Sequence, residues 1–232
     1  MSRLDMTYRK TIVCLAKSVK HGGYCIAGKE VDNGEWVRPV SDREDEEIRP
    51  EDCACGSDIK PGLFNIISLP LLEPRPSSYQ RENHLIDSEH HWKKLGTMAW
   101  DDLKELVDNP RGPLWSNSNS SYYGTNDRVS EADTSEFDSS LVLIRPVKLK
   151  VCVETEGAEF GNPRRKTRAE FEYDGHYYKI AVTDPIIRDK FRSTPGRHSM
   201  GKDSLICVSL GEIHDGYAYK LAAAVLTEDT LG

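Results

Sequence analysis

The sequence predicts a mainly β protein made of two small barrels or sandwiches, with one medium helix and one or two short ones. Three observations carry this. Short apolar runs recur along the chain, each bounded by Gly, Asn or Pro, which is the pattern of strands joined by tight turns. Sustained helical spacing of apolar residues marks one segment near residue 100. The composition shifts near residues 140–146, dividing the chain into 1–140 and 141–232.

Composition bounds the function. The chain has 232 residues, 38% hydrophobic and 30% charged, with a formal net charge of −7. That balance argues against indiscriminate coating of nucleic acid, which is driven by counterion release to a cationic surface. The charge is uneven, however. Residues 1–144 hold 17 Lys+Arg against 25 Asp+Glu, whereas residues 145–220 hold 14 against 11. A polyanion is therefore expected to prefer the C-terminal half. The start of the chain lacks the apolar core of a signal peptide, and no apolar run approaches the roughly 20 residues that span a bilayer. Most of the six cysteines sit inside apolar strand patterns, where a free thiol behaves as a small hydrophobe. A reduced, cytoplasmic protein without membrane association is the expectation.

Taken in order, residues 11–41 read as three strands: Ile12–Ala16, Tyr24–Val31 and Glu35–Ser41. Gly22-Gly23 and Asn33-Gly34 supply the turns, since Gly and Asn accept positive φ. Strand alternation puts Trp36, Arg38 and Val40 on one face. That face reads either as a stacking platform for a base or as a half-buried tryptophan capped by an arginine.

Residues 42–60 form an acidic loop containing Cys53-Ala-Cys55. Structural zinc sites use wider spacing and a second cysteine pair, so unligated thiols are expected, with no metal. Leu63–Leu72 is a strand that ends among prolines. Residues 77–92 are dense in polar groups, among them Glu82, Asn83 and His84, whose types suit acid–base chemistry but whose spacing equally suits a polar connection. A helix is expected from an N-cap at Thr97 to a stop at Pro110, with Trp100, Leu103, Leu106 and Val107 as its apolar stripe. Residues 109–140 read as a long loop pinned to a surface by Trp115, Tyr122 and Tyr123.

In the second half, Leu141–Ile144 and Val147–Val153 are strands interrupted at Arg145-Pro146. Asp174-Gly175 is a two-residue type I′ signal. It sets a register of Phe171 against Tyr178, Ala169 against Ile180 and Glu170 against Lys179. The face carrying Arg168, Glu170, Glu172, Tyr177 and Lys179 is expected to be solvated. Pro185 behind Thr183 or Asp184 opens a short helix ending near Phe191. Strands Leu205–Leu210 and Tyr217–Leu226 close the chain. Two basic clusters stand out: Arg164, Arg165, Lys166 and Arg168, and then Arg188, Lys190, Arg192, Arg197 and Lys202.

The ordered set CLAKSVKHGGYCIAG (14–28), WVRPVS (36–41), ENHLI (82–86), NDRV (126–129), VTDP (182–185), VSLGE (208–212) and YKLAAAV (219–225) resembles the dual OB-fold (DuOB) domain family. These are mainly bacterial proteins, some linked to defence against mobile elements. The resemblance spans nearly the whole chain. It implies two OB-like barrels, with binding of nucleic acid or nucleotide inferred from the fold.

The leading expectation is a binding or sensing module for single-stranded DNA, RNA or a nucleotide, not an enzyme and without a cofactor. Trp36 and Arg38 and the two basic clusters would form the interface, with Tyr177 or Tyr217 as further stacking groups. Two alternatives stand beside it. One is a scaffold that binds a protein encoded by a neighbouring gene through the acidic loop and the 109–140 loop. The other is a small-ligand sensor or enzyme using Glu82, Asn83 and His84. No Gly-rich phosphate loop, G-x-S-x-G elbow or H-E-x-x-H helix is present in the sequence.

Overall fold

The computed structural model describes residues 7–20, 23–53, 61–117 and 119–231. In chain order the elements are β1 (Tyr8–Lys20), β2 (Gly23–Glu30), β3 (Trp36–Val40), β4 (Asn65–Pro74), β5 (Asn83–Ile86), β6 (Lys93–Thr97) and α1 (Trp100–Lys104). Then come β7 (Arg128–Ser130), β8 (Leu141–Ile144), β9 (Val147–Glu156), β10 (Arg164–Tyr173), β11 (His176–Val182), α2 (Pro185–Phe191), β12 (Gly196–Ser199), β13 (Leu205–His214) and β14 (Tyr217–Leu226).

Five strands of the N-terminal unit close into a barrel in the cyclic order β1-β2-β3-β5-β4 and back to β1. All neighbours are antiparallel except β3 and β5, which run parallel with Arg38 opposite Asn83. The ring closes because β1 is long enough to serve two partners. Tyr8–Val13 pairs with β4 and Ile12–Lys20 with β2, with a bulge between Cys14 and Ala16 where the strand turns the corner. Gly28 lies against this corner, where a Cβ would collide with the Val13 carbonyl oxygen, so only glycine fits. Ile12, Cys14, Ile26, Val37, Ile67, Leu69, Leu71, Ile86 and Trp92 fill the interior.

The C-terminal unit repeats this plan with one substitution. Its sheet runs β9-β10-β11-β14-β13-β8, with β11 and β14 the parallel pair. β8 and β9 are consecutive in the chain, interrupted only at Arg145-Pro146, so together they do what β1 does alone. β8 pairs with β13 and β9 with β10, and the ring is completed through the covalent chain. Proline lacks the donor that would continue the ladder at this point. Phe171 stacks on Tyr178 at 5.1 Å in the core, beside Ala169, Ile180, Val151 and Val225. The Asp174-Gly175 turn has φ of 44° and 79°, and the predicted hairpin register is met at every named pair. Asp184 caps α2, accepting from the Ile186 and Ile187 amides. Two OB-like barrels in a mainly β chain are thus present as expected.

Four expectations need correction. The helix expected from Thr97 to Pro110 is only Trp100–Lys104, because Thr97 is spent in β6 opposite Asn65 and the chain past Leu106 joins the second unit. Residues 77–92 are not a plain connection, for Asn83–Ile86 is β5, a barrel strand. The compact units divide between Leu106 and Val107, not at 140. Residues 107–117 lie against the β10–β11 hairpin: Gly112 donates to Asp174, Leu114 to the Tyr178 hydroxyl, and Tyr173 to the Pro110 carbonyl. Residues 119–130 pair with β11 and β14, through Thr125 with Lys179 and through β7. The fourth concerns the face of Arg168, Glu170 and Lys179. Of the face that also carries Glu172 and Tyr177, only the end with those two residues is open to solvent: Glu170 is buried and Arg168 and Lys179 are largely covered, because ion pairs tie that part of the face together.

Candidate nucleic-acid interface

The second barrel brings parts of the two basic clusters together: Arg197 lies across β9 from Arg168, and Arg192 meets Arg165. β9 is flanked by β12 on one edge and β10 on the other, and Cys152 faces Arg197 across one ladder and Arg168 across the other. Residues directly opposite share a face. The outer face of β12, β9, β10 and β11 therefore carries Arg197, Glu154, Glu156, Lys166, Arg168, Glu170, Tyr177 and Lys179. Where β10 begins, Arg165, on the other side of the strand from Lys166 and Arg168, donates to the Arg192 carbonyl at 2.8 Å, joining the start of β10 to the end of α2.

The charges on this face divide into committed and displayed groups. Arg168 chelates Glu156, with Nε and Nη2 at 2.5 and 3.0 Å, and approaches Asp127 at 3.7 Å. Lys179 donates to Glu154 at 2.9 Å, which raises the lysine above its ordinary range against the opposing effect of burial. The same lysine holds the Glu154 carboxyl below the usual carboxylate range. Arg197 is more than half exposed yet reaches Glu170 at 3.2 Å. By contrast Arg164, Arg165, Lys166, Arg188, Lys190, Arg192 and Lys202 are exposed. Arg164 rests on the Asn162 side chain, and Lys190 lies 5.8 Å from the Phe191 ring centre. Tyr177 is exposed on the same face as Lys179 and Arg197. Arg168, expected to face a ligand, is instead a structural group held by its carboxylate partners.

The corresponding face of the first barrel is differently occupied. Trp36 and Arg38 do share a face, as expected from alternation, beside Lys29 across the ladder. Arg38 pairs with the buried Glu82 at 3.4 Å. Lys29 is buried, donates to the Leu106 carbonyl and lies 5.4 Å from the Trp36 ring centre. The half-buried tryptophan with engaged cations is the arrangement seen.

Glu82, Asn83 and His84 do not converge. Glu82 faces Arg38, the Asn83 amide donates to Gln80, and His84 Nδ1 bonds the Tyr8 hydroxyl at 2.5 Å. Burial pushes the His84 imidazole below its ordinary value. Among the described residues no group of three His, Cys, Asp or Glu side chains is placed to hold a metal. Cys55 and Gly22 lie outside the described residues. In the acidic loop, Glu47 and Asp52 are buried; Asp52 is chelated by Arg43, and Glu47 accepts from the Gly23 amide.

Sequence reading missed two features. One is the aromatic cluster formed where Tyr122 meets Phe160, with ring centres 5.3 Å apart. The other is Lys220, fully buried, which donates to the Ser116 carbonyl and Asn117 Oδ1 and is pushed down to about 7 by burial. A lysine inside the YKLAAAV run was the available signal for the second; for the first the sequence offered Tyr122 and Tyr123 but nothing to set Phe160 beside them.

No helix among the described residues is long and apolar enough to cross a membrane. A family model described as "Dual OB-containing domain" matches residues 10–225. No curated protein matches the chain.

Proposed function

The chain belongs to the dual OB-containing domain family, and on that premise we propose that it binds single-stranded nucleic acid through the outer face and rim of its C-terminal barrel. OB barrels commonly bind such strands on the face of their second and third strands and on the adjoining loops. Here those strands are β10 and β11, and the first of those loops is residues 157–163.

The observation that supports this reading is the Arg165–Arg192 hydrogen bond, which brings two basic segments far apart in sequence together at the rim of that barrel. Exposed Arg164, Arg165, Lys166, Arg188 and Arg192 then serve phosphates, while Tyr177 offers a ring to a base. The ion pairs of Glu154, Glu156 and Glu170 with Arg168, Lys179 and Arg197 keep the middle of the face close to neutral. Binding is accordingly weak and strongly salt-dependent. Fluorescence anisotropy of labelled single-stranded DNA and RNA at low salt tests this. Micromolar binding that fades with added salt supports it, and no change at tens of micromolar protein removes it.

A further inference from the structure

Among the exposed aromatics of the second unit, two lie together at its 157–163 loop. Tyr122 is 74% exposed and Phe160 is 66% exposed. Their rings meet edge to face, at an interplanar angle of 70°. At these exposures each ring keeps much of its surface open to solvent. The pair is held in place by its neighbour. The Tyr123 hydroxyl donates to Glu159 and accepts from the Gly157 amide, and its ring packs edge-on against Tyr122 at 4.9 Å. Gly157 and Gly161 both have positive φ, and the Asn162 amide bonds the Gly157 carbonyl. The loop is therefore a closed turn that presents Phe160 outward, and residues 107–140 supply the second ring.

We propose that Tyr122 and Phe160 form a base-stacking platform for single-stranded nucleic acid, with the phosphates running onto Arg164, Arg165 and Lys166. The inference rests on the function proposed above and adds the residues that grip the bases. Charge decides the occupant. Residues 157–166 hold three exposed cations against one carboxylate, which suits a phosphodiester backbone and disfavours a basic protein surface. Exposed rings beside a cationic groove are the means by which OB barrels hold single strands without reading sequence.

The test uses the full chain and a fluorescein-labelled single-stranded DNA 20-mer, followed by anisotropy at low salt. A parallel oligonucleotide carries 2-aminopurine, whose emission is quenched on stacking. The variants are Tyr122→Ala/Phe160→Ala and the ring-preserving Tyr122→Phe/Phe160→Tyr. Tyr123 is left intact because it anchors the loop. The expected result is at least a tenfold loss of affinity for the double alanine variant, an unchanged salt slope, loss of quenching, and near-normal binding by the ring-preserving variant. Should the double alanine variant melt far below the parent, Phe160→Ala alone is used, with at least a threefold loss expected. Binding within twofold of the parent by the alanine variant, or equal losses in both variants, overturns the platform and leaves the proposed function standing. No binding by the parent chain removes both.

Discussion

Arg165 reaches across from the start of β10 and donates to the main-chain carbonyl of Arg192, 27 residues further along, at 2.8 Å. The bond sets exposed cations of two distant segments at one edge of the C-terminal barrel. It also separates two kinds of arginine: those that face solvent at this rim, and Arg168, three residues on, which is spent inside the fold.

The rim arginines are predicted to act on affinity alone. Arg164→Ala/Arg165→Ala should weaken single-strand binding without lowering the melting temperature by more than a few degrees. The slope of log K against log salt should become shallower by about 0.7 for each phosphate that the variant no longer neutralises. A salt titration of parent and variant reads both quantities.

Arg168→Ala is predicted to do the reverse of a surface change. Its side chain is 12% exposed, against 9% for Glu156 and 3% for Asp127, so removal strands the covered Glu156 carboxylate and takes a nearby cation from Asp127, which Ser121 still holds. Breaking a buried pair from one side costs about 3–5 kcal/mol. Urea denaturation should show that loss, whereas Arg164→Ala should leave stability nearly unchanged.

Asp184→Ala should uncouple α2 from the barrel. Asp184 Oδ1 accepts from the Ile186 and Ile187 amides, and Oδ2 accepts from the Val225 amide on β14 at 3.0 Å. Losing the cap and leaving Val225 unsatisfied should together cost roughly 2–4 kcal/mol. Asp184→Asn should recover only part of this, since its amide nitrogen would face the Val225 N–H. Hydrogen exchange at Val225 and denaturation midpoints check the pair.

Lys220 makes stability depend on pH in a definite direction. Burial lowers it from 10.5 to about 7 in the folded chain, so between those values the unfolded chain holds a proton that the folded chain has shed. Stability from this group therefore rises as pH increases from about 7 toward 10. The unfolding free energy of the parent, measured relative to Lys220→Met, should rise between pH 6 and pH 9. A flat difference would contradict a buried lysine in this environment.

The features legible in the sequence were those fixed by local chirality and alternation. Asp174-Gly175 determined a turn and hence a register, and Asp184-Pro185 determined a helix start. What stayed hidden depends on distant partners. Gly196–Ser199 shows no apolar alternation, because β12 is exposed and held by its backbone ladder to β9. Glu82 and Asn83 read as loop residues, yet both are buried, Glu82 against Arg38 and Asn83 in β5 beside β3. The division of units was misplaced by composition, which records what a surface shows to water and not what it packs against. Residues 107–140 look like a linker until Lys220, Tyr178 and Asp174 are seen to hold them. The meeting of Tyr122 and Phe160 likewise needed the fold. So did the fate of Arg168, identical in sequence to its rim neighbours and opposite in role.

A photocrosslinking map locates the bound strand on the barrel. A single-stranded oligonucleotide bearing 5-bromodeoxyuridine is irradiated with the full chain at low salt, and adducted peptides are identified by mass spectrometry. Adducts are expected within residues 157–168, at Tyr177 and within 188–202, suppressed by unlabelled competitor. Adducts concentrated at residues 23–40 of the first barrel, or none at saturating protein, would contradict it.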